Sequence, residues 1–140
     1  METTILLVDD RIENLFTLES ILEKENRTFI HAGSGAEALL KIREVKPAMI
    51  LLDYQMPGMS GLEVAEHLRA DDATRSIPIL FITALNKAES KKLQVFEEGT
   101  VEIISKPLDI AEVRNKVAIF ERIFYLQTKL AEHGLPVTSE

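Results

Sequence analysis

Short apolar runs recur along the chain about every 25 residues, at 5–8, 28–31, 49–52, 77–82 and 101–104. Each has the length and the β-branched or aliphatic character of a buried strand. The segments between them change period. Leu15, Leu18, Ile21 and Leu22 mark one helical face, and Ala38, Leu39, Ile42 and Val45 a second. Leu62, Ala65 and Leu68 mark a third, and Ala88, Leu93 and Phe96 a fourth. A capping residue with Glu three positions later opens each helical segment, at Asp10/Glu13, Ser34/Glu37, Ser60/Glu63, Asn86/Glu89 and Asp109/Glu112. Only the two serine pairs match the strict capping box.

Five alternating strand–helix units predict a parallel sheet covered on both faces. Right-handed crossovers leave few topologies. The expected architecture is an α/β, flavodoxin-like, doubly wound sheet in the order 2-1-3-4-5 with an extended C-terminal helix. Strands 1 and 3 then meet at the switch point, where ligands bind beyond the carboxyl ends of the strands.

The last helical segment runs on unusually far. It starts at Ile110 and meets no stop signal until Gly134 and Pro136. A helix over 110–133 spans about 36 Å at 1.5 Å per residue, roughly twice a typical strand. It carries two stripes. Ile110, Val113, Val117 and Phe120 are expected to face the sheet. Ile119, Ile123, Leu126 and Leu130 follow the 4-3-4 spacing of a coiled-coil seam. The stretch after Phe124 outruns the sheet, so the seam is expected to meet a partner helix in a homodimer. The expected organisation is a domain over 1–120, a helix extension over 121–133, and a linker or disordered tail over 134–140.

Composition narrows the class. With 140 residues, 46% hydrophobic and 28% charged, the chain suits one globular domain. A net charge of −7 disfavours direct nucleic-acid binding. Cysteine is absent, which removes disulfides and thiolate metal sites. No apolar run reaches the length of a membrane span, and residues 1–8 lack a signal peptide's basic start. A cytoplasmic location without membrane contact is expected.

The chemistry collects at the strand ends. The first run ends in Asp9-Asp10, the third in Asp53, and the fifth in Ser105-Lys106-Pro107. Side by side, these strands bring three carboxylates and one lysine to one spot. Hard oxygen ligands with room for water and a phosphate suit Mg²⁺. The cluster predicts phosphoryl chemistry on a carboxylate. Asp10 fits a helix cap as well, but Asp9 beside it and Asp53 on the neighbouring strand favour the metal. His67 falls on the third helix, away from the strand ends. His31 is expected to be structural, and His133 to lie near a helix end.

The chain resembles the receiver domain of bacterial two-component response regulators over about residues 3–120. The resemblance rests on Val8-Asp9-Asp10, on Asp53-Tyr54-Gln55-Met56-Pro57 with Gly61, on Thr83-Ala84 and on Lys106-Pro107. It implies that Asp53 accepts a phosphoryl group from a phosphohistidine of a histidine kinase or histidine phosphotransfer protein. It implies a Mg²⁺ site at Asp9, Asp10, Asp53 and Gln55, with Thr83 and Lys106 contacting the phosphoryl oxygens. Lys106-Pro107 would be a cis peptide. Such a domain is a signalling switch that catalyses only its own phosphorylation and dephosphorylation.

Two positions depart from the family pattern. Ile103 stands where most receivers carry Tyr or Phe, and the final helix is longer than usual. The aromatic relay to the face formed by the fourth helix, fifth strand and fifth helix therefore lacks its ring. Leu85, two residues after Thr83, is assigned no role. The chain is read as a whole regulator or as the N-terminal receiver of a hybrid histidine kinase or other multidomain protein. A phosphatase with an aspartate nucleophile is disfavoured, because Gln55 sits where such enzymes place a second acid.

Overall fold

A computed structural model describes residues 2–84 and 101–134. In chain order the elements are β1 (Thr3–Val8), α1 (Ile12–Leu22), β2 (Arg27–Ala32), α2 (Gly35–Val45), β3 (Met49–Asp53), α3 (Gly61–Arg69), β4 (Ile79–Thr83), β5 (Val101–Ser105) and the C-terminal helix (Ile110–Glu132). All strand pairs are parallel, and the order is β2-β1-β3-β4-β5. This is the flavodoxin-like arrangement that the alternating pattern predicts.

The central strands are apolar on both faces, and their period of two divides the core into halves. Ile5, Leu7, Met49, Leu51, Leu80 and Ile82 point to one side, where they meet Leu15, Leu18 and Leu22 of α1. Val113, Val117 and Phe120 of the C-terminal helix complete that layer. Leu6, Val8, Ile50, Leu52, Ile79 and Phe81 point to the other side, against Ala38 and Ile42 of α2 and Val64, Ala65 and Leu68 of α3. A one-residue slip of any central strand would exchange the two layers, so the register is fixed by packing.

Helix starts bear out most of the capping pattern. The Ser60 hydroxyl accepts from the Glu63 N–H at 3.2 Å, and Glu63 accepts from the Ser60 N–H at 3.0 Å, a complete capping box. Ser34 caps α2 through the Glu37 N–H, while the Glu37 carboxylate turns back to the Gly33 N–H instead. Asp109 accepts from the Ala111 and Glu112 N–H groups. Asp10 is the exception. Arg11 holds the N-cap position of α1 and makes no side-chain cap bond. The turn is made by Asp9, whose Oδ1 accepts the Arg11 N–H at 2.9 Å. Asp10 is left exposed beside it.

β4 opens at Ile79, not at Ile77, because Pro78 has no N–H to give a ladder and the Ile77 N–H closes a turn onto Thr74. On the C-terminal helix the core stripe holds at Val113, Val117 and Phe120, but Ile110 is 50% exposed. Ile110 is the first residue of the helix, and the buried stripe begins at Val113. The expected features at Leu85, Asn86, Ala88, Glu89, Leu93, Phe96, Pro136 and 135–140 lie outside the described residues.

Candidate functional site

Three main-chain anchors set the site. β1 pairs with β3 up to Val8 and Leu52, so Asp9 and Asp53 emerge one step beyond matched positions. The Asp9 N–H donates to the Ala32 carbonyl of β2 at 3.1 Å. The Lys106 N–H donates to the Thr83 carbonyl of β4 at 2.9 Å. Asp53 and Thr83 are thus the last residues of β3 and β4, and Asp9 and Lys106 the first beyond β1 and β5, each tied to a neighbouring strand by a main-chain bond. The Lys106–Pro107 peptide is cis.

Gly61 fixes the other wall. Its N–H donates to the Tyr54 carbonyl at 2.8 Å. A Cβ there would lie 2.5 Å from the Asp53 carbonyl oxygen and 2.8 Å from the Tyr54 Cα. Any side chain at 61 would therefore displace the backbone that carries Asp53.

Asp9, Asp10 and Asp53 each offer a carboxylate oxygen, all within 4.8 Å of one another. Asp9 and Asp53 are buried, and Asp10 is exposed. Lys106 Nζ stands 3.4 Å from Asp53 Oδ1. Burial pushes the Asp53 carboxyl above the ordinary carboxylate range, and the Asp9 charge pushes it the same way. Lys106 and the Gln55 N–H pull it back only in part. A cavity of about 260 Å³ opens over these groups, lined by Asp10, Arg11, Asp53, Gln55, Thr83 and Lys106 among others. Thr83 is itself buried at the cavity wall.

The donor set fits a hard divalent cation. Three convergent carboxylates outnumber the single lysine, and the two buried ones, Asp9 and Asp53, are costly side by side unless a cation joins them. All its donors are oxygens, and the cavity leaves room for water, as Mg²⁺ prefers. Asp9, Asp10 and Asp53 would hold such an ion, with Gln55 at the rim.

The structure brings together every residue singled out at the strand ends. His67 is exposed on α3, apart from the cluster. His31 bonds Glu19 through Nε2 at 2.6 Å and meets the Phe16 ring edge-on. His133 is the C-cap of the last helix. Sequence reading missed Asn14, whose Nδ2 donates to Asp9 Oδ2 at 3.1 Å. Its only signal was a polar residue in the first turn of α1, on the side that returns toward the strand end.

Residues 5–118 match the response regulator receiver domain family. The chain is 41% identical over 112 residues to the transcriptional regulatory protein ResD of Bacillus subtilis, covering 80% of this chain and 45% of ResD. It is 33% identical over 111 residues to the polar-differentiation response regulator DivK of Brucella anthropi, covering 79% of this chain and 89% of DivK. It thus spans less than half the length of ResD. Its fold superposes on the signal receiver domain of a LuxO repressor protein from Vibrio parahaemolyticus with a TM-score of 0.83, covering 93% and 98% of the two chains. That last likeness, at 20% identity, concerns the fold alone. Among the described residues no helix is long and apolar enough to cross a membrane. With the family matched across both acidic strand ends, Thr83 and Lys106, this chain belongs to the response regulator receiver domains of two-component signalling.

Proposed function

We propose that this receiver takes a phosphoryl group onto Asp53 from a phosphohistidine of a histidine kinase or histidine phosphotransfer protein, in a Mg²⁺-dependent reaction. The observation that carries the reading is the buried Asp53 carboxylate, flanked by Asp9 and Lys106 under an open cavity. An Asp53 oxygen bonds to phosphorus as the phosphorus–nitrogen bond of the donor breaks. The imidazole leaves with the electron pair and takes its proton from water. Such transfer needs positioning and charge neutralisation more than covalent machinery. A cation held by Asp9, Asp10 and Asp53 would supply part of that neutralisation. Lys106, 3.4 Å from Asp53 Oδ1, would supply more.

After transfer, Asp53 has exchanged one charge for a group with more charge and more acceptor oxygens. Thr83 and Lys106, which line the cavity beside Asp53, would meet those oxygens. Their adjustment moves the ends of β4 and β5, and that movement is the switch. Ile103 on β5 pairs with Phe81 of β4 and has neither ring nor polar tip, so the aromatic part of the usual relay is missing here. The domain is a switch, not an enzyme acting on an external metabolite.

The output side lies on the C-terminal helix. Ile119, Ile123, Leu126 and Leu130 are exposed along one seam, which a second copy in parallel would cover. Residues 1–120 then form the receiver, 121–133 the pairing helix and 134–140 the linker to an output. Exit of both C-termini in one direction suits the N-terminal receiver of a larger regulator.

The test is phosphotransfer from an autophosphorylated kinase domain, with and without chelator. Labelling that needs Mg²⁺ and disappears in Asp53→Asn supports the reading. Undiminished labelling in that variant, or in excess chelator, overturns it.

A further inference from the structure

Among the described residues, Asn14 is the one side chain outside the acid, hydroxyl and lysine set shown to bond a carboxylate of the cluster. Asp9 is 3% exposed, and its two oxygens are held separately. Oδ1 accepts the Arg11 N–H at 2.9 Å, and Oδ2 accepts Asn14 Nδ2 at 3.1 Å. An ionised carboxylate only accepts, so the amide must present its NH₂ group to it. The Arg11 bond comes from the main chain and holds one oxygen only. Rotation of the carboxylate about its last torsion is soft, and a second fixed donor is what removes it.

Asn14 also has a place that a simple helix-surface amide would not. It lines the cavity of about 260 Å³ over Asp53. It lines a second cavity of about 210 Å³, bounded also by Asp9, Thr17, Leu18, Ile82, Pro107 and Leu108. Lys106 is the other residue common to both. Asn14 therefore stands in the wall between this recess, which Asp9 also lines, and the cavity over Asp53.

We infer that Asn14 is a positioning residue for the cation: it fixes the Asp9 carboxylate plane so that the remaining lone pairs of both oxygens face Asp10 and Asp53. Outer-shell partners that orient a ligating carboxylate are worth about 10–100-fold in metal affinity. This rests on Asp9 being a ligand of the proposed Mg²⁺ site. The Asn14 amide bonds Asp9, so it would act on the cation through that carboxylate. Its loss acts on the concentration of Mg²⁺ required and leaves the rate at saturating Mg²⁺ nearly intact.

Mg²⁺ is titrated into unphosphorylated wild type, Asp9→Asn, Asn14→Leu and Asn14→Ser, followed by amide NMR shifts well below the unfolding temperature. Leucine matches the shape of asparagine without a donor. Serine remains polar but ends one atom short of Asp9, so it serves should the leucine variant fail to fold. Both Asn14 variants should bind Mg²⁺ about tenfold or more weakly. The Mg²⁺ dependence of Asp53 phosphorylation should shift by the same factor, with the plateau rate within about twofold of wild type. A purely structural role would lower the melting temperature and leave the Mg²⁺ midpoint unchanged, and that result overturns the inference. Wild type that binds no Mg²⁺ would instead overturn the cation site itself. Loss of binding in Asp9→Asn with wild-type binding in both Asn14 variants would leave the site standing and remove Asn14 from it.

Discussion

Asp53 is placed for chemistry at a cost in stability. Its carboxyl is buried beside Asp9, and both effects raise its pKa. The folded state therefore holds that proton more tightly than the unfolded chain does. The stability it contributes is present at low pH and is lost as pH rises through the folded pKa, above the ordinary carboxylate range. Asp53→Asn removes the penalty, so without metal at neutral pH the variant should melt about 3 °C or more above wild type. The difference should shrink as the pH falls into the carboxylate range. Thermal scans over pH decide it, and a variant less stable at neutral pH would contradict the electrostatic account. Thr83→Ala should accept the phosphoryl group yet lose most of the amide shifts that accompany it. Ile103→Ala should loosen packing beside Phe81 with no selective loss of that response.

The same residues show what a sequence discloses. Asp9, Asp53 and Lys106 are legible because an apolar strand ending in a charge marks both an element boundary and a ligand-binding end. Asn14 is not, because an amide inside a helical pattern has no chemical mark until the strand beside it is placed. Asp10 looks like a cap because Glu13 follows it. The chain starts α1 one residue later, with the Asp9 carboxylate closing the turn that Asp10 would have capped. Ile110 fits the core stripe by period, but periodicity says nothing of where the buried stripe begins.

At the scale of elements, the C-terminal helix is tied to the far end of α1 by two arginines. α1 has no basic residue in its last turn. Its terminal carbonyls are served from outside, Leu22 by Arg27 at 2.7 Å and Ile21 by Arg114 at 2.9 Å. Arg27 also grips Glu121 with two bonds, at 2.8 and 3.0 Å, and its side chain is 6% exposed. The Arg27 bond holds the Glu121 carboxyl below its ordinary value. The stability it supplies is present above the ordinary glutamate pKa and is lost as pH falls through the lowered one. Glu121→Gln should cost about 1.5–3 kcal/mol in urea unfolding at neutral pH and less in acid. An unchanged midpoint would show that the grip holds nothing. Beyond this clamp the helix leaves the body with its seam uncovered. Ile123→Glu with Leu126→Glu would put charge into a paired seam, and sedimentation equilibrium should then find monomers where wild type forms dimers. Wild type that stays monomeric at high micromolar concentration, phosphorylated or not, removes the dimer.

At the scale of the molecule, a sheet buried on both faces carries the acidic ends of β1 and β3, Thr83 of β4 and Lys106 after β5 to one rim. The opposite rim holds the Arg27–Glu121 clamp and the departing helix. A charge change at Asp53 therefore acts at one end of the strands while the exit helix is fixed at the other. The central claim is the chemical identity of the acceptor. Acyl phosphates are reduced by borohydride to the alcohol, so a phosphorylated aspartate becomes homoserine. Wild type phosphorylated with Mg²⁺ and a small phosphodonor, then reduced, digested and sequenced by mass spectrometry, should carry homoserine at position 53 and nowhere else. Homoserine at Asp9 or Asp10, or a stable phosphoryl group on His67 with Asp53 unmodified, would contradict the account.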